Sequence, residues 1–518
     1  MKRLLLWVVV LVLSMSMVAA FSFAGCKKAA PAEEAVVEAP AEEGVVEAPA
    51  EEAVVEAPAK EATLQIFLPW GVEAVEGDNP MANAFRAWRD QVAAEKFPNI
   101  TVEIITSEWG DHWTWLQTRI ASKDAPDLVC QRVDQGHGYL TPTVQQEEAG
   151  EAFWVDLGPY LEEVNPYTDT VWKDEYSPSH LGAAKGKLSK IYYVPISQGA
   201  RAFIYNVAAF EEAGIEKAPS TAKEFLEDLE ILKQAGWEYP IGGTGQATDG
   251  GFAMDLASGI ASSALLSRFQ SIAGVDDINP DIKALYTAMA NGEISYKDPE
   301  IKAIMEFQKK VAEYVDPAAY SRTFDDVYGP FTQGDFAMMS EFNGRFIRVE
   351  SAIAAGTSQI EEVGTFSYPI ADKETFPFSD ALVTLPGQIS TWGCTWSISS
   401  EAEERGTLDA AVDFLQWWAS GAENDYCWDR SNPAKANGDA PPTKTAIENW
   451  TYKPVAEFLL QDFSPGWGAL MLAADGTMLE KVYTYAQAYL QGQMSYDDFA
   501  TKADTILQEE ATLALANM

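Results

Sequence analysis

The sequence predicts an α/β fold with mostly parallel sheets, on three observations. Strand-like and helix-like segments alternate from residue 62 onward, the apolar fraction is 47%, and residues 62 to 518 are enough for two cores. Thr63-Leu-Gln-Ile-Phe-Leu68 reads as a strand ending in Pro69-Trp70-Gly71. An amphipathic helix follows, with Phe85, Trp88, Val92 and Phe97 spaced to share one face. Ile100 to Ile105 is a second strand, Ser107 to His112 its loop, and another helix runs to about Ser122. Pro126-Asp-Leu-Val-Cys130 starts a third strand. Ligands of doubly wound sheets lie beyond the carboxyl ends of the strands. Those ends are Trp70-Gly71, Glu108-Trp109-Gly110-Asp111 and Asp134-Gln135-Gly136.

The middle of the chain carries a longer ordered pattern. Tyr193-Val-Pro195 precedes Phe203-Ile-Tyr-Asn206, whose Asn206 is placed to N-cap a short helix stopping at Gly214. Thr221-Ala-Lys-Glu224 is a capping box opening a helix with Phe225, Leu229 and Leu232 on its core face, closed by Gly236 before Trp237 and Pro240. Any one of these alone is a generic helix; their order and spacing are specific. Together they resemble the family 1 extracellular solute-binding proteins, the sugar-binding receptors of ABC importers that include the maltose-binding group. Phe331 to Met338 followed by Asn343-Gly344, Leu385-Pro386-Gly387 with Trp392-Gly393, Ala410 to Ala419, and Gly492 to Leu507 opened by Ser495 resemble later blocks of the same family. The likeness spans nearly all of residues 62 to 518, a length that implies inserted loops.

The resemblance implies a two-lobe periplasmic-binding-protein-like fold, each lobe a mostly parallel sheet flanked by helices, the two joined by a hinge. Residues 62–200 with 391–440 are expected in lobe 1, and 201–390 with 441–518 in lobe 2. The implied function is a substrate-binding protein that captures a small solute, a mono- or oligosaccharide, and delivers it to ABC permease transmembrane subunits as a monomer. Closure is hinge bending favoured by the ligand's greater affinity for the closed form.

The first sixty residues say where this happens. Lys2 and Arg3 precede an apolar run, Leu4 to Val18, and Phe23-Ala24-Gly25-Cys26 resembles the lipobox of bacterial lipoproteins, which makes Cys26 the lipidated first residue of the mature chain. The alternative, an uncleaved spanning anchor, is disfavoured because the run is shorter than the roughly 20 residues a spanning helix needs. Residues 1–26 are therefore a lipoprotein signal peptide, and the rest lies outside the cytoplasm, anchored to a bacterial membrane. Ala32 to Pro58 holds three copies of a nine-residue acidic unit ending in Pro40, Pro49 and Pro58. Each copy has too little apolar surface to fold, so residues 27–61 are expected to be a disordered, self-repelling tether.

The formal charge is -42. The leader carries +2 and residues 27–61 carry -7, which leaves -37 for residues 62–518. A field of that sign disfavours nucleic acid and other polyanions. A salty habitat explains it equally well. Beyond Cys26 only Cys130, Cys394 and Cys427 remain, so one bridge at most is available, Cys394 with Cys427, with buried free thiols as the alternative.

A sugar presents flat C–H faces to aromatic rings and hydroxyls to carboxylates and amides. Of sixteen tryptophans, Trp70, Trp109, Trp113, Trp237, Trp392 and Trp467 lie in predicted loops, and about half of these are expected to be packing residues. The candidate ligand contacts are Trp70, Glu108, Trp109, Asp111, Asp134, Gln135, Gln246, Asp249, Asn343, Trp392 and Trp467. Gly242 to Gly251 lacks the Walker lysine and the Rossmann spacing, so it reads as a cleft loop rather than a phosphate cradle. His112, His137 and His180 are the only histidines and stand beside no nucleophile motif. A metal site from Glu108, Asp111, His112 and His137 matches no strong spacing, and no cofactor is expected. The rival class is a secreted glycoside hydrolase using paired carboxylates.

Overall fold

The computed structural model describes residues 61–68, 80–106, 112–132, 150, 153–176, 181, 190–197, 201–243, 252–273, 282–323, 325–379, 394–422, 441–448, 450, 456, 459–460 and 476–517. The chain divides into Met1–Pro58 and Ala59–Met518, and all described residues belong to the second unit.

Its strands are β1 Ala62–Leu68, β2 Ile100–Thr106, β3 Leu128–Arg132, β4 Val164–Asn165, β5 Thr170–Val171, β6 Val194–Pro195, β7 Arg201–Asn206, β8 Ile241–Gly242, β9 Met338–Phe342, β10 Val363–Phe366 and β11 Cys394–Ile398. They form a five-stranded sheet in the order β2-β1-β3-β11-β6, a four-stranded sheet in the order β10-β7-β9-β8, and the β4-β5 hairpin. In the first sheet β1 runs parallel to β2 and β3, and β11 is antiparallel to both of its neighbours. In the second sheet β8 runs parallel to β9, and β7 is antiparallel to β9 and β10. One reversed strand in each sheet is the mark of a chain that visits both lobes more than once.

Burial follows the pleat. β1 turns Leu64 and Ile66 into one core and Phe67 into another, while Thr63 is exposed and Gln65 half-buried on the face that Phe67 shares. Edge strand β2 leaves Thr101 and Glu103 exposed. The helix Pro80–Ala87 continues through a π-helical stretch, Trp88–Ala93, and a last turn, Ala94–Lys96. It buries Phe85 and Trp88, with Val92 and Phe97 packed alongside, as their spacing predicts. In β7, Ala202 and Ile204 face the core shared with the first sheet while Phe203 faces the second lobe's own core. That second core also takes Val482, Tyr483 and Ala486 from Gly476–Leu490, and Phe499, Ala503 and Leu507 from Tyr496–Asn517.

Local signals held with two exceptions. Thr221 and Glu224 form the capping box of Ala222–Gln234, and Ser495 Oγ accepts from Asp498 N at 3.2 Å at the start of the closing helix. Gly214 ends Val207–Ala213 in the left-handed region, φ +82°. Asn206 stands at the N-cap position of that helix with the extended backbone a cap adopts, and its backbone N–H donates to Ala337 O at 2.9 Å, yet its side chain makes no capping bond. Trp113, expected in a loop, lies in the helix His112–Ala121, and Trp237 packs against the second lobe's core.

The chain leaves the first sheet after β6, returns at β11, and leaves again after the helix Leu408–Ala419. Residues from 441 on, assigned by the sequence to lobe 2, begin with Thr443, whose hydroxyl donates to Ala419 O at 2.7 Å. The helix Lys444–Glu448 is thereby tied to the first lobe's helix.

Candidate functional site

Strand register places the candidate segments. Leu68 pairs with Thr106, Phe67 with Val129, Arg132 with Cys394, and Pro195 with Thr395. The carboxyl ends of β1, β2, β3 and β6 therefore share one edge of the first sheet with the amino end of β11. From that edge the chain departs toward Trp70, Glu108 to Asp111, and Asp134-Gln135, and to it the chain returns from Trp392. In the second sheet Gly242 pairs with Met339, and Phe342 with Arg201. One edge thus collects the carboxyl ends of β8 and β9 and the amino end of β7. Gln246 and Asp249 follow that end of β8, and Asn343 directly follows β9.

The two edges cannot be far apart. Pro195 closes β6 and Arg201 opens β7. Six residue steps span at most about 22 Å even when fully extended. Pro195 and Arg201, one on each of these edges, therefore lie within that distance of each other.

Of the eleven candidates only Asn343 falls in the described residues, where it is the first residue of the helix Asn343–Ala354. Trp70, Glu108, Trp109, Asp111, Asp134, Gln135, Gln246, Asp249, Trp392 and Trp467 lie outside them, as do Cys26, His137 and Cys427. Cys130 is buried and free. Sequence reasoning passed over Arg201, which opens β7 opposite Phe342 at the candidate edge. Its signal was there: it is the first charged residue after the Tyr193-Val-Pro195 motif.

Charge elsewhere is committed to structure. Among the described residues the buried acids are Asp127, Glu175, Asp413 and Asp504. Asp127, at the opposite end of β3 from the candidates, accepts from Gln65 N at 2.6 Å and Arg405 Nη1 at 3.0 Å; burial raises its pKa, and those two donors oppose the rise. Asp413 receives Trp88 Nε1 at 3.1 Å, Tyr167 OH at 2.7 Å and Lys96 Nζ at 2.6 Å. Asp504 receives Ser295 Oγ and Tyr296 N, each at 2.7 Å.

Glu175 has no cation bonded to it among the described residues. Asn165 Nδ2 donates to it at 3.1 Å and Thr168 Oγ1 donates to its other oxygen. Burial dominates those bonds and pushes its pKa from 4.5 up to about 7. Between these values the unfolded chain has released the proton that the folded chain keeps, so stability falls as pH rises. The contribution is complete below pH 4.5 and is lost by about pH 7. Its size is about 3 kcal/mol at 1.36 kcal/mol per unit. Glu175→Gln is expected to remove that part of the slope in urea titrations from pH 4.5 to 7.5; an unchanged slope assigns it to other groups.

The family follows from the sequence match. A model of the bacterial extracellular solute-binding proteins matches residues 79–424, two thirds of the chain. The chain belongs to that family. Solved structures with the same fold include apo RafE from Streptococcus pneumoniae, 19% identical over 88% of this chain and 99% of that one, TM-score 0.60. A chitin oligosaccharide binding protein is 17% identical over 87% and 99%, TM-score 0.58. The sugar-binding protein MalE of Xanthomonas citri is 14% identical over 88% and 98%, TM-score 0.58. No curated protein sequence matches the chain. As an extracellular solute-binding protein it acts outside the cytoplasm. Among the described residues no helix is long and apolar enough to cross a membrane.

Proposed function

We propose that this solute-binding protein captures a mono- or oligosaccharide between its two lobes and presents it to the transmembrane subunits of an ABC importer. The observation that carries the reading is the convergence of strand ends. The ends of β1, β2, β3 and β6 share one edge of the first sheet with the start of β11, the ends of β8 and β9 share one edge of the second with the start of β7, and the candidate aromatics, carboxylates and amides adjoin these strand ends in sequence. Sugar recognition needs that mixture of flat faces and two-way hydrogen bonding. Structures of the same fold bind raffinose and chitin oligosaccharides, which supports the class of ligand without naming this one.

Lobe 1 comprises residues 62–200 with 391–440, and lobe 2 comprises 201–390 with 441–518. Cys26 carries the lipid, residues 27–61 tether the monomer to the membrane, and no cofactor takes part. Catalysis is not part of the reading, since the matched family is one of solute-binding proteins.

The test is a thermal-shift screen of maltose, raffinose, xylo-oligosaccharides and chitin oligosaccharides beside amino acids and polyamines, with the sugars analysed afterwards. A raised melting temperature with intact sugar is expected, because a ligand bound only by the folded state stabilises it. A response confined to cationic ligands overturns the sugar assignment, and released reducing ends overturn the receptor.

A further inference from the structure

The tip of the β4-β5 hairpin is shaped by one asparagine and floored by one carboxyl group. Tyr167 N donates to Asn165 Oδ1 at 3.0 Å, and Thr168 N and Asp169 N donate to Asn165 O at 3.2 and 3.0 Å. Asn165 is itself fully buried, and its Nδ2 donates to Glu175 Oε2 at 3.1 Å and to Gln416 O, in the helix Leu408–Ala419, at 2.9 Å. Thr168 Oγ1 meets the other oxygen of Glu175, a residue 1% exposed. The outer side of the tip is open: Pro166, Asp169 and Thr170 are exposed, and Asp169 is held in the left-handed region, φ +57°. The base of the hairpin differs. Leu161 and Trp172 are buried in the first lobe's core.

Among the described residues no cation is bonded to Glu175. On its own segment Lys173 Nζ is taken by Glu162 at 2.5 Å, and Glu163, Asp169 and Asp174 are exposed. From the packed helices come Lys96 and Asp413, which bond each other at 2.6 Å, and the tip's own phenol, Tyr167 OH, donates to Asp413 at 2.7 Å. Tyr176, next in the chain, is buried. A buried carboxyl group with only neutral donors favours its neutral form, and an ionised one in that place calls for water. The exposed tip is the part that can yield to let water in; the packed base is not.

We propose that the tip, Pro166 to Thr170, is a pH-dependent flap: neutral Glu175 holds it against the first lobe, and ionisation of Glu175 lifts it into water. Lifting parts Tyr167 from Asp413 and Asn165 from Gln416, two polar ties between the hairpin and the helix Leu408–Ala419. In the lifted form Glu175 returns to the ordinary carboxylate range. Opening therefore grows about tenfold per pH unit from 4.5 to about 7 and levels off above, while below pH 4.5 the flap is fully held.

Hydrogen exchange of the folded protein, corrected for intrinsic rates, tests this. Between about pH 5.5 and about pH 8 the amides of Tyr167, Thr168 and Asp169 are expected to lose about 30-fold in protection. At both values they are expected to stay well below Leu161 N and Trp172 N, whose acceptors are Leu157 O and Glu163 O, each at 2.9 Å, and low urea is expected to leave exchange at the tip unchanged. Unchanged tip protection, or tip amides that exchange only together with Leu161 and Trp172, overturns the proposal. Glu175→Gln keeps a neutral side chain of the same size at every pH. Equal tip protection at the two pH values is expected in that variant, and a loss matching the parent's overturns the role of Glu175. If the variant does not fold, the comparison of tip and base in the parent decides.

Discussion

Trp396→Ala is expected to lower the unfolding free energy by about 3–5 kcal/mol, the range for emptying a large aromatic from a packed core. Trp396 is fully buried at the centre of β11. Phe85, Phe414 and Trp418 meet its ring at 5.8, 5.5 and 5.9 Å, all close to edge-on. These come from two helices, Pro80–Ala87 and Leu408–Ala419, so the ring joins the returning strand to the first lobe. The indole N–H contributes nothing favourable, for Nε1 is buried with no hydrogen-bond partner. Trp396→Phe is therefore expected to lose much less than Ala, since the smaller ring surface is offset by removal of an unsatisfied donor worth about 1–3 kcal/mol. Urea denaturation of the two variants measures both. An alanine loss under about 1 kcal/mol would mean that the cluster does not hold β11 in place.

Trp70→Ala and Trp392→Ala are expected to weaken sugar binding about tenfold or more each, as truncating a central aromatic contact does, while leaving the melting temperature of the free protein unchanged. Trp70 lies two residues beyond the end of β1, and Trp392 two before the start of β11. β3 lies between β1 and β11 and pairs with both, so the end of β1 and the start of β11 share one edge with a single strand between them. Titration calorimetry with the sugar found in the screen reads the affinities. Unchanged values in both variants remove these rings from the site.

The units of the fold were legible where local chemistry was decisive. Thr221 to Glu224 specified a helix start because both halves of the box are local bonds, and the spacing of Phe85, Trp88, Val92 and Phe97 exposed the buried face of their helix. Asn206 shows where local reading stops: its side-chain chemistry and its extended backbone both suit a cap, yet no capping bond forms. The reversal of β7 and β11 was invisible too, because strand direction is a property of pairing between distant segments and leaves no mark on either one. The same holds for Thr443, whose partner Ala419 lies 24 residues earlier. For the site, residue types and strand ends gave the candidates, and register shows only which strand ends share an edge.

The central claim is that the lobes close on a sugar held between their edges. Small-angle X-ray scattering of the soluble protein, with and without saturating amounts of the sugar from the screen, tests it most directly. A smaller radius of gyration in the bound protein is the predicted result. An unchanged radius at a concentration where calorimetry shows full occupancy would contradict it.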